Sequence, residues 1–340
     1  MSGKLIVVLG AGASFDASSR RQPGDSPPPL VTQLFSKGGP DDAILRHYPL
    51  AEMAGAEIRH AANNERGLEE TLRERYKESD SEHDHRAFFQ VPLYLQHRLL
   101  VASNAFVPDS YDRLIMAALR LPEVMFVTLN YDLLLDQRLT SFSPLDSLRS
   151  YIAPNRNWSL VKLHGSVNWA RRLRTGMTTL GGTLDPHYFA RTFDRFALTA
   201  EPQSEIVLRP VDPGTPSTLA TARVGGNFLY YPALSVPLGP DDELSCPPEH
   251  LDFAKRKLGD KDGLHLIFIG YSGYDVAVMK FLRESGARWK SLTVVNPDSS
   301  AGDRIINELG ALSIPSEVLA EGFTAFVTNG DLERVLERLR

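Results

Sequence analysis

The stretch VVLGAGASFD constrains the fold more than any other part of the chain. Leu5 to Leu9 form an unbroken apolar run, the pattern of a strand buried on both faces. They pass directly into Gly10-Ala11-Gly12-Ala13-Ser14, a turn too tight for large side chains. A strand that enters a helix this way leaves backbone amides at the positive end of the helix, and such a turn attracts a pyrophosphate. The ordinary dinucleotide fingerprint wants a third glycine, where Phe15 stands, and an acidic residue about 20 positions on. The proline-rich RRQPGDSPPPLV comes next instead, so the chain does not open as a common dehydrogenase does.

The design recurs. EVMFVTLNYD runs from an apolar strand at Val124 to Thr128 into a polar cluster and then the helical LLLDQRL. SLVKLHGSVNW, LHLIFIGYSGYD and SLTVVNPD do the same, the last two followed by the helical VAVMKFLRESG and DRIINELG. FTAFVT reads as a sixth strand, before a last helix with Leu332, Val335, Leu336 and Leu339 on one side. Strands alternating with helices predict an α/β fold, a doubly wound parallel, Rossmann-like sheet, and ligands in such sheets sit at the carboxyl ends of the strands. Residues 40–120 break the alternation. They read as helix upon helix, in GLEETLRERYK and FFQVPLYLQHRLLVASNAF, and predict an inserted helical subdomain or lid between the α/β segments 1–39 and 121–340. From about 171 to 246 the chain is irregular, with strand-like pieces at EIVLRP and NFLYYPAL.

Composition closes off several classes. With 42% hydrophobic and 23% charged residues, no apolar run near the ~20 residues of a membrane span and no signal peptide before the first strand, the expected setting is soluble and cytoplasmic. The one cysteine, Cys246, leaves no disulfide and no multi-cysteine zinc site within the chain, and no metal is expected. A net charge of −5 argues against direct nucleic-acid binding, and the basic run WARRLR reads as a solvated face beside Trp169.

The strand ends say more together than apart: GAGAS at 10–14, NYD at 130–132, HGS at 164–166, GYSGYD at 270–275 and NPD at 296–298. In that order GAGAS, TLNYD and KLHGSVNW resemble the sirtuin-like (silent information regulator 2-like) NAD-binding family, and within it the NAD-hydrolysing branch of bacterial anti-phage defence. The resemblance covers the α/β elements and leaves the helical insertion unmatched. It implies NAD as the substrate, with Gly10, Ala11, Gly12, Ala13, Ser14 and Asp16 near the pyrophosphate and Gly165 and Ser166 lining the site. Gly270, Tyr271, Ser272, Asp275 and Asn296 fall where the family holds the adenosine half. Ser14 is expected both to cap its helix and to donate to phosphate, and Asp275 either to cap its helix or to touch the ligand.

Breaking the nicotinamide–ribose bond builds oxocarbenium character on the sugar, so the site must hold the ribose and redirect one proton. Asn130 suits the orientation of ribose hydroxyls and attacking water, His164 suits the base, and Asp132 either steadies the cationic sugar or holds its loop. Deacylating sirtuins resemble one another in a four-cysteine zinc module that walls the acyl-lysine groove, and one cysteine cannot build it. The expected function is thus an NAD+ glycohydrolase, an NAD-depleting effector of defence. A protein deacylase or ADP-ribosyltransferase is the alternative, and a non-catalytic NAD or ADP-ribose sensor the second. Such an enzyme needs restraint, so a homo-oligomer or a separately encoded partner, of HerA-type ATPase or Argonaute-like kind, is expected, with RRQPGDSPPPLV acting as part of a lid.

Overall fold

The computed structural model describes residues 3–17, 27–35, 42–52, 54–55, 60, 74, 82–174, 206–209, 228–234, 244–259 and 263–339. The apolar opening forms β1 (Lys4–Leu9), followed by the single-turn α1 (Ala11–Phe15). Short helices α2 (Val31–Leu34) and α3 (Asp42–Leu45) precede the long α4 (Glu82–Ala105) and then α5 (Asp109–Ala118). Next come β2 (Glu123–Thr128), α6 (Leu134–Thr140), α7 (Leu148–Tyr151) and β3 (Trp158–Lys162). Three further strands, β4 (Gly165–Arg174), β5 (Ile206–Leu208) and β6 (Phe228–Leu234), pair antiparallel in the order β5-β4-β6. Alternation then resumes through α8 (Pro248–Leu258), β7 (Leu264–Ile269), α9 (Val276–Glu284), β8 (Trp289–Val295), α10 (Ser299–Glu308) and β9 (Ser316–Leu319). Two helices, α11 (Phe323–Thr328) and α12 (Asp331–Glu337), end the described chain.

The main sheet is six-stranded, ordered β3-β2-β1-β7-β8-β9, and every neighbouring pair is parallel. This is the doubly wound arrangement. Successive residues of a strand face opposite sides, so Leu5, Val7 and Leu9 enter one core with α5, α11 and α12, while Ile6 and Val8 enter the other with α8, α9 and α10. The winding reverses between β1 and β7, and in open parallel sheets the crevice at such a reversal holds the ligand. A third cluster joins Phe35, Leu45, Tyr48, Tyr94 and Leu95 to Tyr131, Val167 and Leu234. The helical part therefore rests on the residues that follow β2 and β3, beside that crevice.

Several expectations are corrected. FTAFVT is helix rather than strand, because its buried residues Phe323, Phe326 and Val327 recur at helical spacing behind the Gly322 cap, and the sixth strand is β9. Tyr111, Leu114 and Ile115 of α5 pack on β1 and β2, whereas Leu34 and Phe35 belong to the helical cluster. Leu34 and Phe35, ahead of residue 40, thus pack with the helical cluster, and α5, ahead of residue 120, packs with the α/β core. The chain continues past His164 into β4, a strand that the sequence pattern does not announce. Arg171 of the basic run is buried and donates to Ser245 Oγ at 2.8 Å, so it is not part of a solvated face. Leu332, Val335, Leu336 and Leu339 dock the last helix on its own sheet. Residues 20–26 of the proline-rich loop lie outside the described residues. No helix among the described residues is long and apolar enough to cross a membrane.

Candidate active site

Asn130 is held by the end of β2. Leu129 N–H continues the parallel ladder onto Leu9 O at 2.9 Å, and Asn130 N–H then turns onto Thr128 Oγ1 at 3.1 Å, so the chain leaves the sheet with the Asn130 side chain pointing at the turn after β1. There Nδ2 donates to Gly10 O and to Ser14 Oγ, both at 2.9 Å. Two acceptors fix the amide's orientation, and they leave Oδ1 buried with no hydrogen-bond partner among the described residues. A buried carbonyl oxygen left unmatched is costly, and it marks a place where a donor belongs. Ser14 Oγ also meets Tyr111 Oη at 2.8 Å, and burial raises the Tyr111 phenol well above its ordinary value, so that hydroxyl stays protonated.

His164 follows β3 by two residues and is 4% exposed. Its Nε2 lies 2.7 Å from Asp275 Oδ2, at the end of the turn after β7. The other oxygen of Asp275 accepts from Val278 N–H at 3.0 Å and caps α9. Asp275 therefore performs the capping task foreseen for it and also pairs with the candidate base. The Tyr131 ring leans over His164 with centroids 6.1 Å apart, and Tyr131 O accepts from Val167 N–H at 3.0 Å, fixing the two post-strand segments against each other.

Beneath these residues runs a buried polar network. Lys162 Nζ donates to Asp132 O at 2.6 Å and Asp136 Oδ2 at 2.8 Å, and Tyr151 Oη donates to Asp136 Oδ1 at 2.9 Å. Asp132 Oδ1 accepts from Leu134 N–H at 3.0 Å, and burial raises its carboxyl above the ordinary value against the pull of Lys162. Asp132 thus holds its loop, one of the two tasks foreseen for it.

The remaining predicted residues divide. Gly10 and Gly12 donate their amides inside the protein, to Ile269 O and Gly270 O at 3.0 Å each, and Ala13 N–H donates to Gly10 O at 3.0 Å. A Cβ on Gly12 would come 2.9 Å from Gly270 O and one on Gly270 2.1 Å from Ala13 N, so these glycines exist for the close approach of the β1 and β7 turns. Tyr271, stacked on Phe268 at 5.6 Å, and the exposed Ala11 and Ser272 stand around that contact. Asn296 Nδ2 donates to Tyr271 O at 2.9 Å and braces the same turn from β8. Gly165, with φ +85°, is required where β4 passes Ala233 O.

One expectation fails here, and two further residues have partners within the protein. Ser14 does not cap α1, because Gly10 is the cap and Ser14 lies inside the helix. Asp16 Oδ2 accepts from Thr324 N–H at 2.8 Å and so ties α1 to the start of α11. Ser166 Oγ donates to Asn168 Oδ1 at 2.6 Å and is fully buried. Two groups of residues were missed: Tyr111, and the Lys162–Asp136–Tyr151 network. A lysine inside the apolar SLVKLHG was the available signal, since a charge in a buried strand needs a buried partner. Among the described residues no three His, Cys, Asp or Glu gather as a metal would need.

No protein-family profile matches the chain, and no curated protein matches it. Among solved structures, two mutants of a Sir2 homologue in complex with ADP-ribose align over 99% of this chain and 94% of theirs, at 16% identity with TM-scores of 0.43 and 0.44. A Sir2 mutant with a peptide and NAD aligns over 99% of this chain and 93% of its own, at 15% identity and a TM-score of 0.38. At that overlap the likeness carries nothing about activity, which has to be argued from the residues of this chain.

Proposed function

We propose that the chain hydrolyses NAD at the nicotinamide–ribose bond, giving nicotinamide, ADP-ribose and a proton. The observation that carries the reading is the buried, unmatched Oδ1 of Asn130, whose amide reaches the β1 turn beside the reversal of the sheet. With Nδ2 spent on Gly10 and Ser14, this oxygen is the group that accepts from a donor on the substrate, and a ribose hydroxyl is such a donor. Departure of neutral nicotinamide leaves an oxocarbenium-like sugar, water adds to it, and His164 takes the proton that water must lose. The Tyr131 ring and the helical cluster behind it keep bulk water from the sugar. The defence setting, the homo-oligomer and a separately encoded partner accompany this reading on the strength of the resemblance in GAGAS, TLNYD and KLHGSVNW.

The test is to incubate the full chain with NAD, alone and with an acetyl-lysine peptide, and identify the products. Nicotinamide and ADP-ribose in both reactions, at one rate, are expected. Nicotinamide release that requires the peptide assigns a deacylase or transferase instead, and binding without products assigns a sensor.

A further inference from the structure

We infer that Asp275 is the positioning residue for the His164 base, so that the turn after β7 and the base after β3 work as one unit. This deepens the proposed NAD cleavage and rests on it. The carboxylate is bidentate in use: Oδ2 lies 2.7 Å from His164 Nε2, while Oδ1 accepts from Val278 N–H at 3.0 Å at the start of a nine-residue helix. The helix end favours negative charge on Asp275, and that charge in turn favours a hydrogen on Nε2. A neutral imidazole with its hydrogen on Nε2 has its lone pair on Nδ1. The imidazolium formed when His164 takes the proton from water keeps its Nε2–H directed at a carboxylate.

The geometry is constrained on both sides. Asp275 cannot swing without uncapping α9, and the backbone that carries it is held by Tyr271 Oη donating to Asp275 O at 3.3 Å and by Arg304 donating to Ser272 O at 2.7 Å. On the other side, Gly165 at φ +85° and the Tyr131 ring fix where His164 leaves the sheet. The sequence separation of the pair, between the β3 and β7 ends, hides this relationship from any local motif.

Two variants keep the cap and differ at the histidine: Asp275→Asn retains an oxygen and the length, and Asp275→Ser caps α9 but is too short to reach Nε2. The first measurement needs no NAD. In the full-length protein labelled with 15N-histidine, a ring N–H proton shifted downfield and shielded from exchange is expected, absent from His164→Gln and lost in Asp275→Ser. The second is steady-state NAD cleavage, where both variants are expected to lower kcat on the order of tenfold or more with KM nearly unchanged. A ring proton that persists in Asp275→Ser, or wild-type kcat in both variants with unchanged melting, overturns the inference. If the wild-type chain leaves NAD intact, the proposed reaction falls, while the ring proton still reports whether Asp275 holds His164.

Discussion

Lys162 Nζ, wholly buried, lies 2.8 Å from Asp136 Oδ2 and 2.6 Å from the carbonyl oxygen of Asp132. One ammonium thereby links the end of β3 to the loop that carries Asn130. Removing it leaves Asp136 charged and buried, so Lys162→Met is expected to lower stability by about 3–5 kcal/mol. Adding Asp136→Leu removes the stranded charge and is expected to recover part of that loss. Denaturant unfolding of the two variants checks this, and equal stability of Lys162→Met and wild type contradicts it.

Asp132 gives a pH signature. Burial raises its carboxyl, so the fold favours the protonated form. Its stabilising effect is complete below the unfolded value, near about 4, and is lost as pH rises through the higher folded value. Asp132→Asn, a neutral substitute, is therefore expected to melt above wild type at neutral pH, with the gap closing on acidification toward about pH 4. A gap that widens on acidification reverses the assigned direction.

Gly270, at φ +61°, has room for no Cβ, which would stand 2.1 Å from Ala13 N. Gly270→Ala is expected to cost more than about 2 kcal/mol, combining left-handed backbone strain with the clash, and Gly12→Val to destabilise the same contact. Both losses are expected in thermal melts without NAD. Wild-type melting with weakened NAD binding alone would return these glycines to a purely phosphate-binding role.

Asp16 is expected to matter for stability and not for the reaction. Asp16→Ala removes the acceptor of Thr324 N–H in the first turn of α11, a change worth about 0.5–2 kcal/mol. Its KM for NAD is expected to match wild type. A large rise in KM with unchanged melting would restore the pyrophosphate contact that the motif GAGASFD suggests.

The fold was legible in the sequence wherever a strand was buried on both faces, because such strands are continuous apolar runs ended by small or polar residues, as Leu5–Leu9 and Leu266–Ile269 are. It was not legible at FTAFVT, where β-branched and aromatic residues favour a strand locally, and only the burial of Phe323, Phe326 and Val327 against the sheet decides for helix. Asn130 and His164 stood out because a polar residue at a strand end is conspicuous. The partners were hidden: Ser14 meets Tyr111 across 97 residues, and Asp275 reaches His164 from a different strand end. Glycine misleads in a different way, since one residue type serves a phosphate approach and a backbone approach alike, and only the Gly270 carbonyl beside Gly12 separates them.

The most direct measurement is the rate of nicotinamide release from NAD by the wild-type chain beside Asn130→Ala and His164→Ala. Both side chains are buried at the carboxyl edge of the sheet, where they are proposed to act on the transition state. Cleavage slowed by roughly 10²–10⁴-fold in each variant, with a cooperative melt retained, is the predicted result. Release at the wild-type rate in both variants would contradict it.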